Sequence, residues 1–217
     1  MIPDIAYHRP ASIAEACALS ASLGSAAAFL AGGTELLPDF QRGRESARHL
    51  IALNRITELR GIRLAPDGLH IGALATLSDI AASAQVQVFL PALATAARAV
   101  GSAQIRSVAT IGGNVCRAVA CADTPPMLLV AEASLRLVGS KGERSLPLDR
   151  FLLGARKTAL APGEMLVEVL LPMQPAHSAA EYERFARRRG SSLAVASVAS
   201  RALAITSHSG GAVTVSS

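Results

Sequence analysis

Two glycine pairs decide the fold of this chain: Ala31-Gly32-Gly33-Thr34-Glu35 and, eighty positions later, Thr110-Ile111-Gly112-Gly113-Asn114. Each pair follows an apolar run that we expect to be a strand. Glycine permits positive φ and close approach of another group, and successive peptide N–H groups in a tight turn can bind an anion. Either pair alone is more simply a structural turn. Together they predict two loops that close on one diphosphate.

Composition narrows the class of protein. The chain has 217 residues, of which 51% are hydrophobic, so it is globular with one large domain or two small ones. Only 3% of residues are aromatic, which disfavours a stacking surface for nucleic acid. The net charge of +5 suits an anionic ligand, nucleic acid or a basic partner face. The basic run Arg184, Arg187, Arg188 and Arg189 is explained equally well as a solvated surface.

The three cysteines predict a reducing compartment. An odd, sparse count argues against a disulfide framework and favours the cytoplasm. Cys116 and Cys121 lack the further thiolates of an iron–sulfur cluster, so we expect two small apolar core residues. The histidines are scattered, and no metal site is predicted. The N-terminus does not resemble a signal peptide, and the uncharged stretch 16–34 is interrupted by glycines, so no membrane span is expected.

The first part of the chain predicts a small α/β unit. Ser12 and Glu15 form a capping-box pattern that opens a helix ending at Gly24. The expected elements that follow are a strand over 26–31, a helix over 36–41 and a strand over 49–53.

The next part predicts hairpins mixed with short helices. The Pro-Asp-Gly turn at 66–68 joins two apolar runs, and a second hairpin is expected around 139–142. Ser78 is a candidate cap for a helix over 79–83, and another helix should cover 90–100. Asp123 or Thr124 should cap a helix with Pro125 at its first position. Strands are expected over 166–171, 193–205 and 212–215, with a turn at 207–211.

Two acidic residues near the glycine pairs have alternative roles. Glu35 either caps the helix after the first pair or reaches a sugar hydroxyl, and Asp123 either caps its helix or hydrogen-bonds a ribityl hydroxyl or a ring edge. The sequence lacks GxSxG, GxxxxGK[ST] and GxGxxG, which disfavours hydrolase, P-loop and Rossmann classes.

Taken together, these motifs resemble a known family over nearly the whole chain. The order and spacing are similar to the FAD-binding subunits or domains of molybdenum hydroxylases, such as xanthine dehydrogenase and carbon monoxide dehydrogenase. The matching stretches are Tyr7-His8-Arg9-Pro10, Ala31 to Pro38, Ile71-Gly72-Ala73, Gln104-Ile105-Arg106, Ala109 to Asn114, Asp123 to Pro126, Glu164-Met165-Leu166 and the basic run before Leu193-Ala194.

The resemblance implies an α+β fold with three parts. It is the bilobed FAD-binding domain of the vanillyl-alcohol oxidase type, with a small α/β lobe over 1–56 and a mixed-sheet lobe over 57–172. A C-terminal α/β domain would begin at 173 and is shorter over 173–217 than in the family.

The resemblance also implies a set of cofactor-binding residues and no general acid or base. The 31–35 and 110–114 loops would bind the FAD pyrophosphate through backbone N–H groups. Asp123 would contact the cofactor, Leu166 would pack near the isoalloxazine, and Arg184 would lie at the flavin where lysine is common. The full set is Phe29, Leu30, Ala31, Gly32, Gly33, Thr34, Glu35, Leu36, Ala109, Thr110, Gly112, Gly113, Asn114, Asp123, Leu166 and Arg184. Ala109 departs from a glycine common in the family and should narrow the second loop.

The function implied is that of a cytoplasmic flavoprotein electron-transfer subunit. Electrons would pass from a large molybdopterin subunit through a small [2Fe-2S] subunit to FAD here, and then to NAD or another acceptor. The alternative is a truncated scaffold subunit that no longer retains flavin.

Overall fold

A computed structural model describes residues 5–187, 193–206 and 213–216. The α-helices among these residues are α1 Ile13–Leu23, α2 Leu36–Gln41, α3 Leu77–Ala82, α4 Ala84–Phe89, α5 Pro91–Ala99, α6 Ala103–Arg106, α7 Ile111–Arg117, α8 Thr124–Val130 and α9 Leu148–Phe151. The strands are β1 Ala6–His8, β2 Ala27–Leu30, β3 His49–Ala52, β4 Ile62–Ala65, β5 Gly68–Gly72, β6 Ser134–Gly139, β7 Gly142–Pro147, β8 Leu152–Gly154, β9 Lys157–Thr158, β10 Met165–Pro172, β11 Ser178–Ala186, β12 Ala194–Thr206 and β13 Val213–Ser216.

The N-terminal part is a parallel three-stranded sheet in the order β1-β3-β2. Helix α1 connects β1 to β2, as a parallel connection requires. The side chain of Ser12 accepts a hydrogen bond from the Glu15 N–H at 3.1 Å, and the helix ends at Gly24 with φ +55°. The predicted α/β unit is confirmed.

The second sheet has five strands in the order β4-β5-β10-β6-β7. All four pairings are antiparallel, so this sheet is not mixed as the resemblance implied. The central strand β10 is buried at Met165, Leu166, Val167, Val169 and Leu171, because these side chains pack into two apolar clusters: Leu166, Val169 and Leu171 into the largest core, and Met165 and Val167 into the second cluster. Helices α3, α5 and α8 pack with this sheet to form the largest apolar core.

The two sheets are joined by a shared apolar cluster. Ala16, Cys17 and Ile51 from the first sheet region pack in one cluster with Met165 and Val167 of β10. Because protein interiors are close-packed, this cluster holds the two sheets against each other.

The described residues after 173 form an antiparallel sheet in the order β11-β12-β13, which packs against α5 and α8. The predicted strand over 193–205 is confirmed as β12. Arg188, Arg189 and the predicted turn at 207–211 lie outside the described residues. The domain boundaries at 56 and 172 remain predictions.

Two local predictions are wrong. The α3 helix is capped by Thr76 and not by Ser78. The Asp79 N–H donates to the Thr76 hydroxyl, and the Thr76 N–H donates to the Asp79 carboxylate, which together form a capping box. Gly112 and Gly113 do not form the predicted loop; they lie in the first helical turn of α7. The Thr110 side chain caps that helix by accepting from the Gly113 N–H at 3.1 Å.

Candidate functional site

The first glycine pair forms a loop between β2 and α2 that presents backbone donors. Gly33 has a φ of +70°, which favours glycine, and its carbonyl accepts from the Leu37 N–H at 3.1 Å to start α2. Within the described part of the chain, the N–H groups of Gly32, Gly33, Thr34 and Glu35 have no protein acceptor. Four consecutive free donors make a concave site suited to an anion.

The second glycine pair has a different hydrogen-bonding role. The N–H groups of Ile111 and Gly112 donate to the carbonyls of Ala75 and Ala73, and the Asn114 N–H donates to the Thr110 carbonyl. This segment therefore presents side chains to a ligand rather than the backbone N–H groups of 111–114. Asn114 is one of these side chains, and its Oδ1 accepts from the Thr124 hydroxyl at 2.6 Å.

The two glycine-containing segments touch each other. A Cβ on Gly32 would lie 1.9 Å from the Val108 carbonyl oxygen, far inside van der Waals contact. The first loop can therefore approach the second segment this closely only because residue 32 is glycine.

A cavity of about 710 Å³ lies beside this contact. Its wall includes most of the predicted site residues, namely Phe29, Ala31, Gly32, Gly33, Thr34, Glu35, Leu36, Ala109, Thr110, Gly113, Asn114 and Asp123. A volume of this size is typical of small-molecule and cofactor sites.

Four predicted residues do not line the cavity. Leu30 packs in the small apolar cluster around Phe40, and Leu166 belongs to the largest core. Gly112 is packed against Ala73, whose Cβ would lie 2.8 Å from an added Cβ. Arg184 reaches the site through Asp123 instead of facing the cavity.

Glu35 does not cap α2, because its side chain makes no capping hydrogen bond. Its carboxylate lies 3.6 Å from Nε of Arg117. Arg117 also contacts the buried carboxylate of Asp39, and a guanidinium nitrogen of Arg156 lies 3.5 Å from that Asp39 carboxylate.

Among the described residues, three arginines line the cavity near the first loop: Arg42, Arg117 and Arg156. Their positive charge favours an anionic ligand, although Glu35 and Asp39 offset part of the charge of Arg117 and Arg156. The sequence carries no signal for this arrangement, because Asp39, Arg117 and Arg156 are far apart in the chain.

Asp123 is held in a buried polar network. It is 4% exposed, and its Oδ1 accepts from the Tyr182 hydroxyl at 2.7 Å and lies 2.9 Å from Nε of Arg184. Burial raises the pKa of Asp123, and the hydrogen bond from Tyr182 and the charge of Arg184 oppose that rise. Asp123 begins α8 without a capping hydrogen bond from its side chain, so the cap alternative is wrong.

Tyr182 is a further site residue that sequence reasoning missed. Its alternation with exposed neighbours along β11 marks an inward position, but the distant partner could not be deduced.

Cys116 and Cys121 are free and half-buried, and both line the cavity; Cys116 also packs against the largest apolar core, as expected, whereas Cys121 does not. Burial raises the pKa of the Cys116 thiol to about 12, so it stays protonated at neutral pH. Among the described residues, no group of three or more His, Cys, Asp or Glu side chains is placed to hold a metal ion. None of the described helices is both long and apolar enough to cross a membrane.

The fold and this cavity are those of a flavin-binding domain. Residues 3–174 match the family described as the FAD binding domain in molybdopterin dehydrogenase, and the chain belongs to that family. The expected cofactor, FAD, is thereby confirmed.

Two relatives illustrate the similarity in sequence. The chain is 39% identical to the carbon monoxide dehydrogenase medium chain of Hydrogenophaga pseudoflava, over 87% of this chain and 66% of that protein. It is 36% identical to the xanthine dehydrogenase FAD-binding subunit of Escherichia coli O157:H7, over 87% of this chain and 65% of that protein. The chain thus spans just under two thirds of these curated relatives.

A solved structure shows the same fold. The reconstituted CO dehydrogenase from Oligotropha carboxidovorans has a chain that superposes with a TM-score of 0.90 at 33% identity, covering 94% of this chain and 71% of that one.

The residues present fit FAD. Gly32 and Gly33 form a cradle that a Cβ would fill, and the free N–H groups beside it are donors for phosphate oxygens. The rest of the wall combines apolar side chains with a comparable number of polar and charged ones, which suits a cofactor with an apolar ring system and charged phosphates.

Proposed function

We propose that the protein is the FAD-carrying electron-transfer subunit of a molybdopterin-dependent dehydrogenase. FAD supplies the redox chemistry when bound, and the protein supplies position and electrostatics. Electrons would arrive from [2Fe-2S] clusters in a small partner subunit, after leaving a large molybdopterin subunit. They would leave to NAD or another acceptor.

One observation carries this proposal: the two glycine segments meet beside a cavity at whose edge four backbone N–H groups have no acceptor among the described residues of the protein. A diphosphate carries two negative charges and needs several donors. Peptide N–H groups supply them without loss of side-chain entropy.

We assign the diphosphate to the N–H groups of Gly32, Gly33, Thr34 and Glu35. The second segment would contribute the side chains of Thr110 and Asn114, with Ala109 and Leu36 as apolar wall. Arg117 and Arg156 would add long-range attraction, since both line the cavity.

Asp123 would accept a hydrogen bond from a cofactor hydroxyl, and Arg184 would act through Asp123. Leu166 and Leu30 would support the wall from behind, because both are packed in apolar clusters. The free cysteines agree with a cytoplasmic location.

The test is the absorption spectrum of the tagged full-length protein purified together with any chains that accompany it. Bands of oxidised flavin that bleach on reduction, with molybdopterin and iron–sulfur subunits in the same fraction, are the expected result. Protein that carries no flavin, even after incubation with FAD, would refute the proposal and favour the scaffold alternative.

A matched pair of variants distinguishes a direct effect on FAD binding from the general effect of backbone strain. Gly33→Ala and Gly43→Ala both place alanine at positive φ, +70° and +67°, but only Gly33 lines the cavity. Gly33→Ala should lose FAD, whereas Gly43→Ala should keep it despite a similar backbone cost of about 1 kcal/mol. Equal flavin content in both variants would count against the assignment of the first loop.

A further inference from the structure

We propose that Tyr182 is a positioning residue of the cofactor site: its hydroxyl holds one oxygen of Asp123 so that the other faces the cavity. The inference rests on the proposed function, because it concerns how the same site holds FAD. It assigns part of the cofactor site to the sheet that follows residue 173.

The geometry of Asp123 divides its two oxygens between two tasks. Oδ1 receives the Tyr182 hydroxyl at 2.7 Å and lies 2.9 Å from Nε of Arg184. Within the described residues, Oδ2 has no protein partner, and Asp123 lines the cavity. One oxygen is therefore anchored, and the other is available to accept a hydrogen bond from a ligand hydroxyl.

Both anchoring groups come from one strand. Tyr182 and Arg184 are two positions apart on β11, so they point to the same face of the sheet. That face packs against α5 and α8, and Tyr182 is 3% exposed. The anchor is thus built into the packing of the sheet and does not depend on a mobile surface side chain.

The Tyr182 hydroxyl remains a proton donor. Its interaction with Ser197, on the neighbouring strand β12, lowers the pKa of Tyr182, but that effect is outweighed. Burial and the Asp123 carboxylate raise the pKa of Tyr182, which keeps this donor protonated.

The same contact favours the charged form of Asp123. Burial raises the pKa of this carboxyl, and Tyr182 and Arg184, both on β11, are the ionisable groups that lower it again. Removing the Tyr182 hydroxyl should therefore raise the pKa further, so that Asp123 becomes protonated at a higher pH.

The experiment measures FAD affinity of the full-length protein, with its accompanying chains, by fluorescence titration of the flavin-free form. The variants are Tyr182→Phe, Asp123→Asn and the double variant. Tyr7→Phe is the matched control, because Tyr7 is 54% exposed and is the other of the two tyrosines in the chain.

Tyr182→Phe should weaken FAD binding about tenfold, as expected for one lost hydrogen bond to a charged group. Tyr7→Phe should leave the affinity unchanged. The double variant should bind within about twofold of Asp123→Asn alone, because Tyr182 acts through that carboxylate. Losses that multiply would assign Tyr182 a merely structural role and overturn the proposal.

The pH midpoint of FAD affinity is a measurement that a merely structural role of Tyr182 would not change. FAD affinity should fall as the pH is lowered and Asp123 becomes protonated, with a midpoint at higher pH in Tyr182→Phe than in the wild type. The difference should vanish in the Asp123→Asn background. An identical midpoint in both proteins would overturn the positioning role while leaving FAD binding intact. A wild-type protein that does not bind added FAD at any pH would refute the proposed function itself.

Discussion

The contact at Gly32 makes the sharpest prediction about the cofactor site. In Gly32→Ala the new Cβ would lie 1.9 Å from the Val108 carbonyl oxygen, 2.7 Å from its carbonyl carbon and 3.1 Å from Cα of Ala109. A tolerable contact is about 3.0 Å, so the two segments must separate by roughly 1.1 Å, the difference of the two distances. Both neighbours are backbone atoms, so no side-chain rotation relieves the clash.

The separation should weaken FAD binding more than it weakens folding. Overpacking of this kind costs about 1–3 kcal/mol, and a misplacement of about 1 Å also breaks the alignment of the free N–H groups with a diphosphate. We expect the dissociation constant for FAD to rise at least about tenfold, the equivalent of 1.4 kcal/mol. Titration of flavin-free protein with FAD, followed by flavin fluorescence, measures this change.

Gly72→Ala is the matched control. Its Cβ would lie 2.4 Å from the carbonyl oxygen of Leu59 and 2.7 Å from the carbonyl carbon, a comparable clash with backbone at a residue that, like Gly32, has no positive φ, and Gly72 does not line the cavity. It should lower the thermal midpoint about as much as Gly32→Ala and leave the FAD affinity of the folded protein unchanged. If Gly32→Ala bound FAD within about twofold of the wild type, the reasoning about the loop contact would be refuted.

Three further predictions concern pH, packing and reactivity. Burial lowers the pKa of His70, but its hydrogen bonds to Asp67 and Glu168 outweigh burial and leave the pKa raised. The stabilisation that protonated His70 contributes should therefore be present below about pH 6.5 and decline as the pH rises above that value. Urea titrations at a series of pH values measure this change in the free energy of unfolding. Phe151→Ala should lower the free energy of unfolding by about 3–5 kcal/mol in the same assay, because the ring is 0% exposed in the largest core. The Cys116 thiol, with its pKa raised to about 12, should resist iodoacetamide at neutral pH in the native protein and react after denaturation, as peptide mass spectrometry would detect.

Each of these predictions has a control. A His70→Gln variant should lose the decline of stability with rising pH, and an unchanged slope would contradict the role of His70. Val88→Ala, at a position 83% exposed, should change the free energy of unfolding by less than about 0.5 kcal/mol. Rapid alkylation of Cys116 in the folded state would show that its environment is not the apolar one described.

Local pattern was sufficient for most elements. The helix after Ser12, the strands around both hairpins and the long strand β12 follow from caps, turns and alternation, which act over a few neighbouring residues. The prediction for the second glycine pair was wrong because the local preference of glycine for turns was overridden. Glycine favours turns in isolation, but Thr110 caps a helix there and Ala73 leaves no room for a side chain at Gly112.

By itself, the sequence determined the positions of the glycine pairs, the apolar strands and the family motifs, and hence the class of cofactor. Tertiary structure alone decided which groups meet at the cavity. Tyr182 and Asp123 are 59 residues apart, and their contact exists because the β11 sheet packs against α8. Local propensity acts over a turn of chain, whereas a hydrogen bond between distant residues depends on how whole sheets and helices bury their apolar faces.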